Sequence, residues 1–440
     1  MINRIILPEW LITSGLEKPQ QKRGIRLCGD KIADIDANEA LQRKYPHDEI
    51  WLASGQVLSP GFVNSHTHLY GVLAHGIPLH NAPEGFWHFL KDFWWLQVED
   101  RLDHAMIRAA ADWQCALMLR SGITSFYDCL EAPNAIPGCL NVIKDVVERH
   151  GLRAILSFEA TERISANNGQ LGLSENEQFI KDCQKFPSLV SGMMCFHTTF
   201  TCSADFIRQA FHIANTLDAS VHMHCSEGAY EPAYALEHFG MRPIQYYEKL
   251  GVLRENMLAS QCVHLDNEEI ALIAKRGGRV AHMPLSNCEV GGGIAPVPQM
   301  IAANITLGLG SDSYIDDFFE VMRGAFLIHK ASQQDPRIMP ANLVWHLATE
   351  GGAKALGLDK VGRIEPGWHA DLQLIELDFP TPVEDWNIFD QLLLYGNRFS
   401  VKSVFVNGEL LVKDGCLLRV NEQEVKETCR IQAQRLWGSH

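Results

Sequence analysis

The chain has no apolar run of about 18 residues, the length a membrane-spanning helix needs, so no membrane span is expected. It has no excess of positive charge: 38 Lys and Arg stand against 53 Asp and Glu, giving a formal net charge of −15. Nucleic acid and anionic membrane surfaces both call for a basic patch, so neither is an expected partner. Its 12 cysteines show no paired spacing and no CxxC, which reads as reduced thiols in the cytoplasm and not a disulfide framework. The opening residues, "MINRIILPEW", are interrupted too soon for a signal peptide, and none is expected. No low-complexity tract occurs, and no repeat beyond the strand–helix alternation described next. What remains is 440 residues, 46% hydrophobic and 21% charged. That is an ordinary globular composition, long enough for one large domain and a small one.

The first 55 residues alternate short apolar runs with polar turns ("RIILPEWLIT", "IRLCGDKIADID", "EIWLAS") and read as β-hairpins. From residue 57 short apolar runs alternate with longer amphipathic stretches. The runs are "QVLSPGFVNSH" (56–66), "ITSFYDCL" (123–130), "LRAILSFEA" (152–160), "VSGMMCFHT" (190–198), "ASVHMHCS" (219–226), "MLASQCVH" (257–264), "GRVAHMP" (278–284) and "ITLGLGSD" (305–312). Helix-like segments lie between them at 106–122, 139–151, 204–218 and 267–278, several ending in glycine. This alternation predicts an α/β fold, a (β/α)8 TIM barrel over 57–362. A β-rich grammar returns at 363–440, with an Asn-Gly hairpin signal in "VNGEL" and a closing helix. Residues 1–56 and 363–440 are expected to combine into one small β-sandwich domain.

In such a barrel the chemistry sits at the C-terminal ends of the strands. Those ends carry His66 and His68; His197; His222, His224 and Glu227; Gln261 and His264; His282; and Asp312. A single histidine there is usually structural, and the Asp of "GSD" alone is usually a turn. Several histidines and a carboxylate on one rim point to a metal. In a strand, His66 and His68 face the same way. Neutral imidazoles with a carboxylate suit zinc first and ferrous iron second, not magnesium or calcium. No lysine ends any run, so nothing there supplies a carbamate bridge, and one divalent metal per chain is expected. Glu159, Arg163 and His197, near the ends of runs three and four, are candidate contacts to ring substituents. The aromatics of the long first loop, "FW" at 86–87 with Trp87 and "FWW" at 93–95, are either one wall of a pocket for a flat heterocycle or a buried helix face.

"GFVNSHTHLYG", "HMHCSE", "CVHLDNEEI", "VAHMPLSNCEVGGGIAP" and "LGLGSDS" come in the order of the amidohydrolase superfamily, which the chain resembles over essentially its whole length. The likeness is to the aminohydrolase branch that includes guanine deaminase, 8-oxoguanine deaminase, adenosylhomocysteine deaminase and the triazine hydrolases. It is nearest to the SsnA-type aminohydrolases, through "FEATER", "FHTTFT", "APVPQMI" and "SDSYIDDFFEVMRGAFLIHKA". Carried over by position, the resemblance makes His66, His68, His224 and Asp312 the metal ligands and Glu227 the acid/base. His222 reads as structural, one layer deeper.

The resemblance implies hydrolytic deamination of a purine- or pterin-like amine. The metal would lower the pKa of a bound water towards 7, Asp312 would help take its proton, and Glu227 would protonate the ring. Where the family reads "AHCVHL" this chain reads "SQCVHL". Gln261 either replaces the family's histidine as a neutral donor, or His264 or His282 takes the role. The alternatives are hydrolysis of a cyclic amide or triazine, or a catalytically impaired binding protein. The expected partner is a small heterocyclic substrate, and a homo-oligomer, a dimer or larger, is also expected.

Overall fold

The computed structural model describes residues 3–79 and 81–438. Its centre is a ring of short parallel strands: Phe62–Thr67, Ile123–Leu130, Arg153–Phe158, a fourth split into Val190–Gly192 and Met194–Cys195, then Val221–Cys225, Met257–Gln261, Arg279–His282 and Thr306–Leu309. The fourth breaks at Met193, whose N–H still bonds Leu156 on the third strand. The N–H of Met194 turns to Ser220, just ahead of the fifth. The last strand returns to the first, where the N–H groups of Ser311 and Asp312 both donate to the His66 carbonyl at 3.1 Å. That approach depends on Gly310, since a Cβ there would stand 2.8 Å from the same carbonyl oxygen.

The connecting helices follow the sequence signals. His104–Arg120 is capped by Asp103, Ala204–Thr216 by Ser203, and Asn267–Arg276 by an Asp266/Glu269 capping box. The segment after the first strand departs from simple helix. It forms a tight turn Leu69–Ala74, a short helix Gly85–His88 and a wide π-wound stretch Phe89–Val98 that covers the end of the ring.

The terminal segments share one nine-stranded sheet. Gln56–Pro60 of the strand Glu49–Pro60 pairs antiparallel with Leu372–Glu376, so small-sheet pairing runs as far as Pro60. The hairpin reading holds for Arg23–Cys28 with Lys31–Ala37. Asn3–Leu11 and Glu49–Pro60 instead pair in parallel, because helix Asn38–Lys44 carries the chain back across. Pairing links eight of the nine strands in one path, with Gln20–Gln21 paired off it to Asn3–Leu11, so where a sandwich was expected one continuous sheet is found. Its distant turns meet: a Cβ on Gly408 would lie 2.1 Å from the Gly29 carbonyl. Its core holds Ile6, Ile25, Leu58, Leu374 and Phe405, all fully buried. The closing helix Glu422–Trp437 leaves this sheet and packs on the barrel helix His104–Arg120. Among the described residues no helix is long and apolar enough to cross a membrane.

Candidate metal centre and cavity

His66 and His68 leave the first strand on the same side. His66 Nε2 lies 3.0 Å and His68 Nε2 3.5 Å from Asp312 Oδ1. His66, His68 and His224 offer ligand nitrogens all within 4.8 Å of one another. The His68 and His224 rings are parallel at 5.3 Å, and His66 stands perpendicular to both. The neighbours fix the tautomers. His68 Nδ1 donates to the Cys129 carbonyl at 2.5 Å, and His224 Nδ1 faces Glu159 Oε1 at 2.6 Å. Both Nε2 atoms therefore present lone pairs to the shared point. Burial pushes His68 and His224 down to about 4, which keeps both neutral at physiological pH.

Asp312 Oδ2 accepts from Gln261 Nε2 at 2.9 Å and from Ser286 Oγ at 2.6 Å. That leaves Oδ1 for the centre. Asp312 Oδ1 and His66 Nε2 are both buried without a hydrogen-bond partner. Orphaned buried acceptors are costly, about 1–3 kcal/mol each, unless a cation takes their lone pairs. Three imidazole nitrogens and one carboxylate oxygen converging in this way fit a zinc or ferrous ion.

The chain is bent into unusual backbone at the same place. Ser226, Gln261, Cys262, Asp312 and Ser313 have φ between 50° and 71°. Non-glycine residues rarely adopt this region, and such strain concentrates at functional sites.

A cavity of about 430 Å³ is lined by His68, His224 and Asp312 of this cluster. Phe86, Phe89, Leu90, Phe93 and Trp94 of the covering segment form its apolar wall. Glu227 lines it next to the centre. Burial, together with the charges of Asp312, Glu159 and Glu231, pushes the Glu227 carboxyl well above the usual range. His197 also lines the cavity, its Nδ1 held 2.9 Å from Thr201 Oγ1.

Several expected roles change. Glu159 lines the cavity, but its carboxylate is engaged by His224, so it orients a ligand before it meets any substrate. Arg163 is not a free contact. It is buried in a network with Glu99 (3.2 Å), Asp100 (2.8 Å) and Glu131, beneath Trp95 at 5.0 Å. Trp87 lies outside the main cavity, stacked face to face on Tyr230 at 3.9 Å, and its neighbours Phe86 and Trp94 supply the wall instead. His264 does not line the cavity; its Nε2 is tied to the Gly292 carbonyl at 2.8 Å. His282 is buried against His329, with the two Nε2 atoms 3.1 Å apart. His222 sits behind His66, their rings stacked at 5.0 Å.

Sequence reading passed over Ser286, which holds Asp312, and Glu231, which binds the Thr199 and Ser226 N–H groups at 2.9 and 2.5 Å. It also passed over Glu99 and Glu131, which line the cavity. Glu131 follows the second run directly and is visible there; Glu99, Glu231 and Ser286 sit at or near the starts of short helical segments, Glu99–Arg101, Tyr230–Phe239 and Pro284–Glu289, whose polar first turns carry no distinguishing signal.

A model described as the amidohydrolase family matches residues 57–411. A 5'-deoxyadenosine deaminase of Methanopyrus kandleri is 28% identical, covering 96% of this chain and 97% of its own. A 5-methylthioadenosine/S-adenosylhomocysteine deaminase of Halothermothrix orenii is 32% identical, covering 92% of each chain. Among solved structures, a zinc-bound adenosine deaminase of Xanthomonas campestris superposes with a TM-score of 0.87 at 23% identity, covering 99% of this chain and 98% of that one. A guanine deaminase of C. acetobutylicum with bound guanine superposes at 0.81 and 18% identity, covering 93% and 99%. At these identities the structural likeness establishes the fold.

Proposed function

The chain belongs to the amidohydrolase family and is a hydrolase of carbon–nitrogen bonds, and we propose that it deaminates an aminopurine-like ring, with a nucleoside lacking phosphate as the preferred form. The observation that carries this reading is Glu227. Its carboxyl lines the cavity together with His68, His224 and Asp312, and burial with the charges of Asp312 and Glu159 pushes its pKa well above the usual range. His66, His68, His224 and Asp312 would hold one catalytic divalent metal, zinc in the first instance, and the ion's contribution is to acidify a water molecule so that it attacks at neutral pH.

The chain's own groups do the rest. Glu227 donates its proton to a ring nitrogen, which makes the amine-bearing carbon electrophilic; as a carboxylate it then takes up the proton released by the attacking water and passes it to the departing ammonia. Gln261 and Ser286 hold Asp312 Oδ2 so that Oδ1 keeps one direction. Gln261 is thus a positioning residue for Asp312, and His197 is the remaining polar contact for the ring. The apolar wall from Phe86 to Trp94 excludes water and stacks a flat heterocycle. Two relatives bearing deaminase names for adenosine derivatives support a purine over a triazine or a cyclic amide.

The test is ammonia release by metal-replete protein from aminopurine nucleosides, free aminopurines, pterins and triazines, alongside cyclic amides. Turnover of an aminopurine compound is the expected result. Hydrolysis of cyclic amides alone would overturn the deaminase reading.

A further inference from the structure

Four residues past Glu227, in the first turn of helix Tyr230–Phe239, Glu231 is a second buried carboxylate, 3% exposed, with no proton to move in the proposed deamination. Three donors converge on it. Oε1 accepts from the Thr199 N–H at 2.9 Å and from Thr199 Oγ1 at 2.7 Å, and Oε2 accepts from the Ser226 N–H at 2.5 Å.

These bonds hold the two loops that bring polar side chains to the cavity. Thr199 follows His197 by two residues, and Ser226 immediately precedes Glu227. Ser226 has a φ of 50°, backbone that a serine rarely adopts. Its N–H goes to Glu231 and its carbonyl accepts from the His264 N–H at 2.9 Å, so both backbone polar groups of the residue before Glu227 are pinned. Burying a carboxylate is costly unless its oxygens are satisfied. Three donors and the positive end of its own helix offset that cost here. A glutamine of the same shape cannot replace it. Its one oxygen can serve Thr199 or Ser226 but not both, and its NH2 group would face an N–H that it cannot accept.

We propose that Glu231 is a positioning residue: by holding Ser226 and Thr199 with one carboxylate, it sets Glu227 and His197 against the same ring in the cavity. The carboxylate bridges the loop after the fourth strand to the loop after the fifth, beside the two side chains that line the cavity. The hydrogen bonds alone carry the positioning; what the two positioned groups do to a substrate rests on the deaminase reading. Burial first, then the charges of Asp312, Glu159 and Glu231, keep Glu227 in its acid form to higher pH, so the same carboxylate acts on the proton as well as on the geometry.

The test compares metal-replete parent and Glu231→Gln by crystallography and by ammonia release from adenosine. The crystal structures need no substrate. In the variant the Ser226–Glu227 segment or the loop carrying His197 should leave its parent position, while the metal content stays that of the parent. In the assay kcat should fall by roughly 10- to 100-fold, the scale of a misplaced catalytic group. The alkaline limb of the rate profile should also move to lower pH, because the Glu231 charge no longer raises the Glu227 pKa; a carboxylate that only stabilised the fold would not move it. If Glu231→Gln fails to fold, Thr199→Val decides, since it removes one donor and leaves the carboxylate; it should shift the His197 loop and lower kcat/KM by about 10-fold. Unmoved loops in the folded variant, or moved loops with the parent's kinetics, would overturn the proposal. Loss of metal would overturn it too, by making Glu231 a support of the metal centre. A parent that releases no ammonia from adenosine counts against the deaminase reading alone, and the crystal structures still decide the positioning.

Discussion

Glu227 stands three residues past His224, close enough to share its site and far enough along the chain to face the cavity and not the ligand cluster. Ionising it would place another negative charge beside Asp312 and Glu159. Burial first, and these charges second, raise its folded pKa, and the acid form that protonates the ring is present below that value and lost as pH rises through it. The rate should fall on the alkaline side for this reason. Glu227→Gln keeps the shape and removes the transferable proton. We expect it to retain metal by elemental analysis while kcat falls by roughly 10²-fold or more; loss of metal along with activity would make Glu227 a ligand instead. Gln261 acts one step further out. Its amide gives Asp312 a charge-assisted hydrogen bond, a contribution of about 1.5–3 kcal/mol. Gln261→Ala should lower kcat/KM by roughly 10- to 100-fold, with tighter metal-loading conditions needed to restore it. An unchanged kcat/KM would leave Ser286 as the sole support of Asp312 Oδ2.

The elements meet around Arg163, which follows the third strand and binds Glu131 after the second and Glu99 at the close of the covering segment. One guanidinium thus joins three loops of the cavity. Burial, and repulsion from Glu131 for Glu99, push the neighbouring carboxyls up, Glu131 to about 7, even with the cation present. Arg163→Leu would leave those carboxylates unpaired in the interior. Breaking such a network costs roughly 3–5 kcal/mol, to be read as a lower denaturation midpoint; a variant as stable as the parent would mean the loops are held by other contacts. This network also marks where sequence reading stops. The strands and their helices are legible because apolar runs, caps and terminal glycines are local signals, and His66 with His68 is legible through the strand's period of two. Arg163 looks like any arginine beside a strand end, and Trp87 like its neighbours Phe86 and Trp94, because partners distant in sequence decide which of them faces the cavity. The parallel pairing of Asn3–Leu11 with Glu49–Pro60 is hidden for the same reason, since two β runs joined by a short helix read locally as hairpins.

Across the whole molecule the C-terminal helix is brought to the turn beside the site, and the net charge sets what can enter it. The C-terminal helix reaches the turn that follows His68, where Trp437 Nε1 donates to the Leu73 carbonyl at 2.7 Å. The charge has a more direct consequence. The chain carries −15 overall, and the cavity is lined by Glu99, Glu131, Glu159, Glu227, Glu289 and Asp312, with no lysine or arginine among the described lining residues. Arg163, behind Trp95 of the covering segment, is already ion-paired with Glu99, Asp100 and Glu131. A bound metal and the protonation of Glu227 reduce this negative field, but neither supplies a donor cradle for a phosphate. At an effective dielectric of about 20, each ionised carboxylate about 8 Å from a phosphate charge opposes it by about 2 kcal/mol. Two such groups left uncompensated suffice for roughly 10²-fold discrimination or more. We therefore expect kcat/KM for adenosine to exceed that for adenosine 5'-monophosphate by at least about 100-fold at low salt. The gap should narrow as ionic strength rises, because at about 0.1 M salt charges more than about 10 Å apart are largely screened. Initial rates for the nucleoside and nucleotide over a salt series measure both parts. Equal kcat/KM values, or a gap indifferent to salt, would show that the carboxylates around the cavity do not govern which substrates enter.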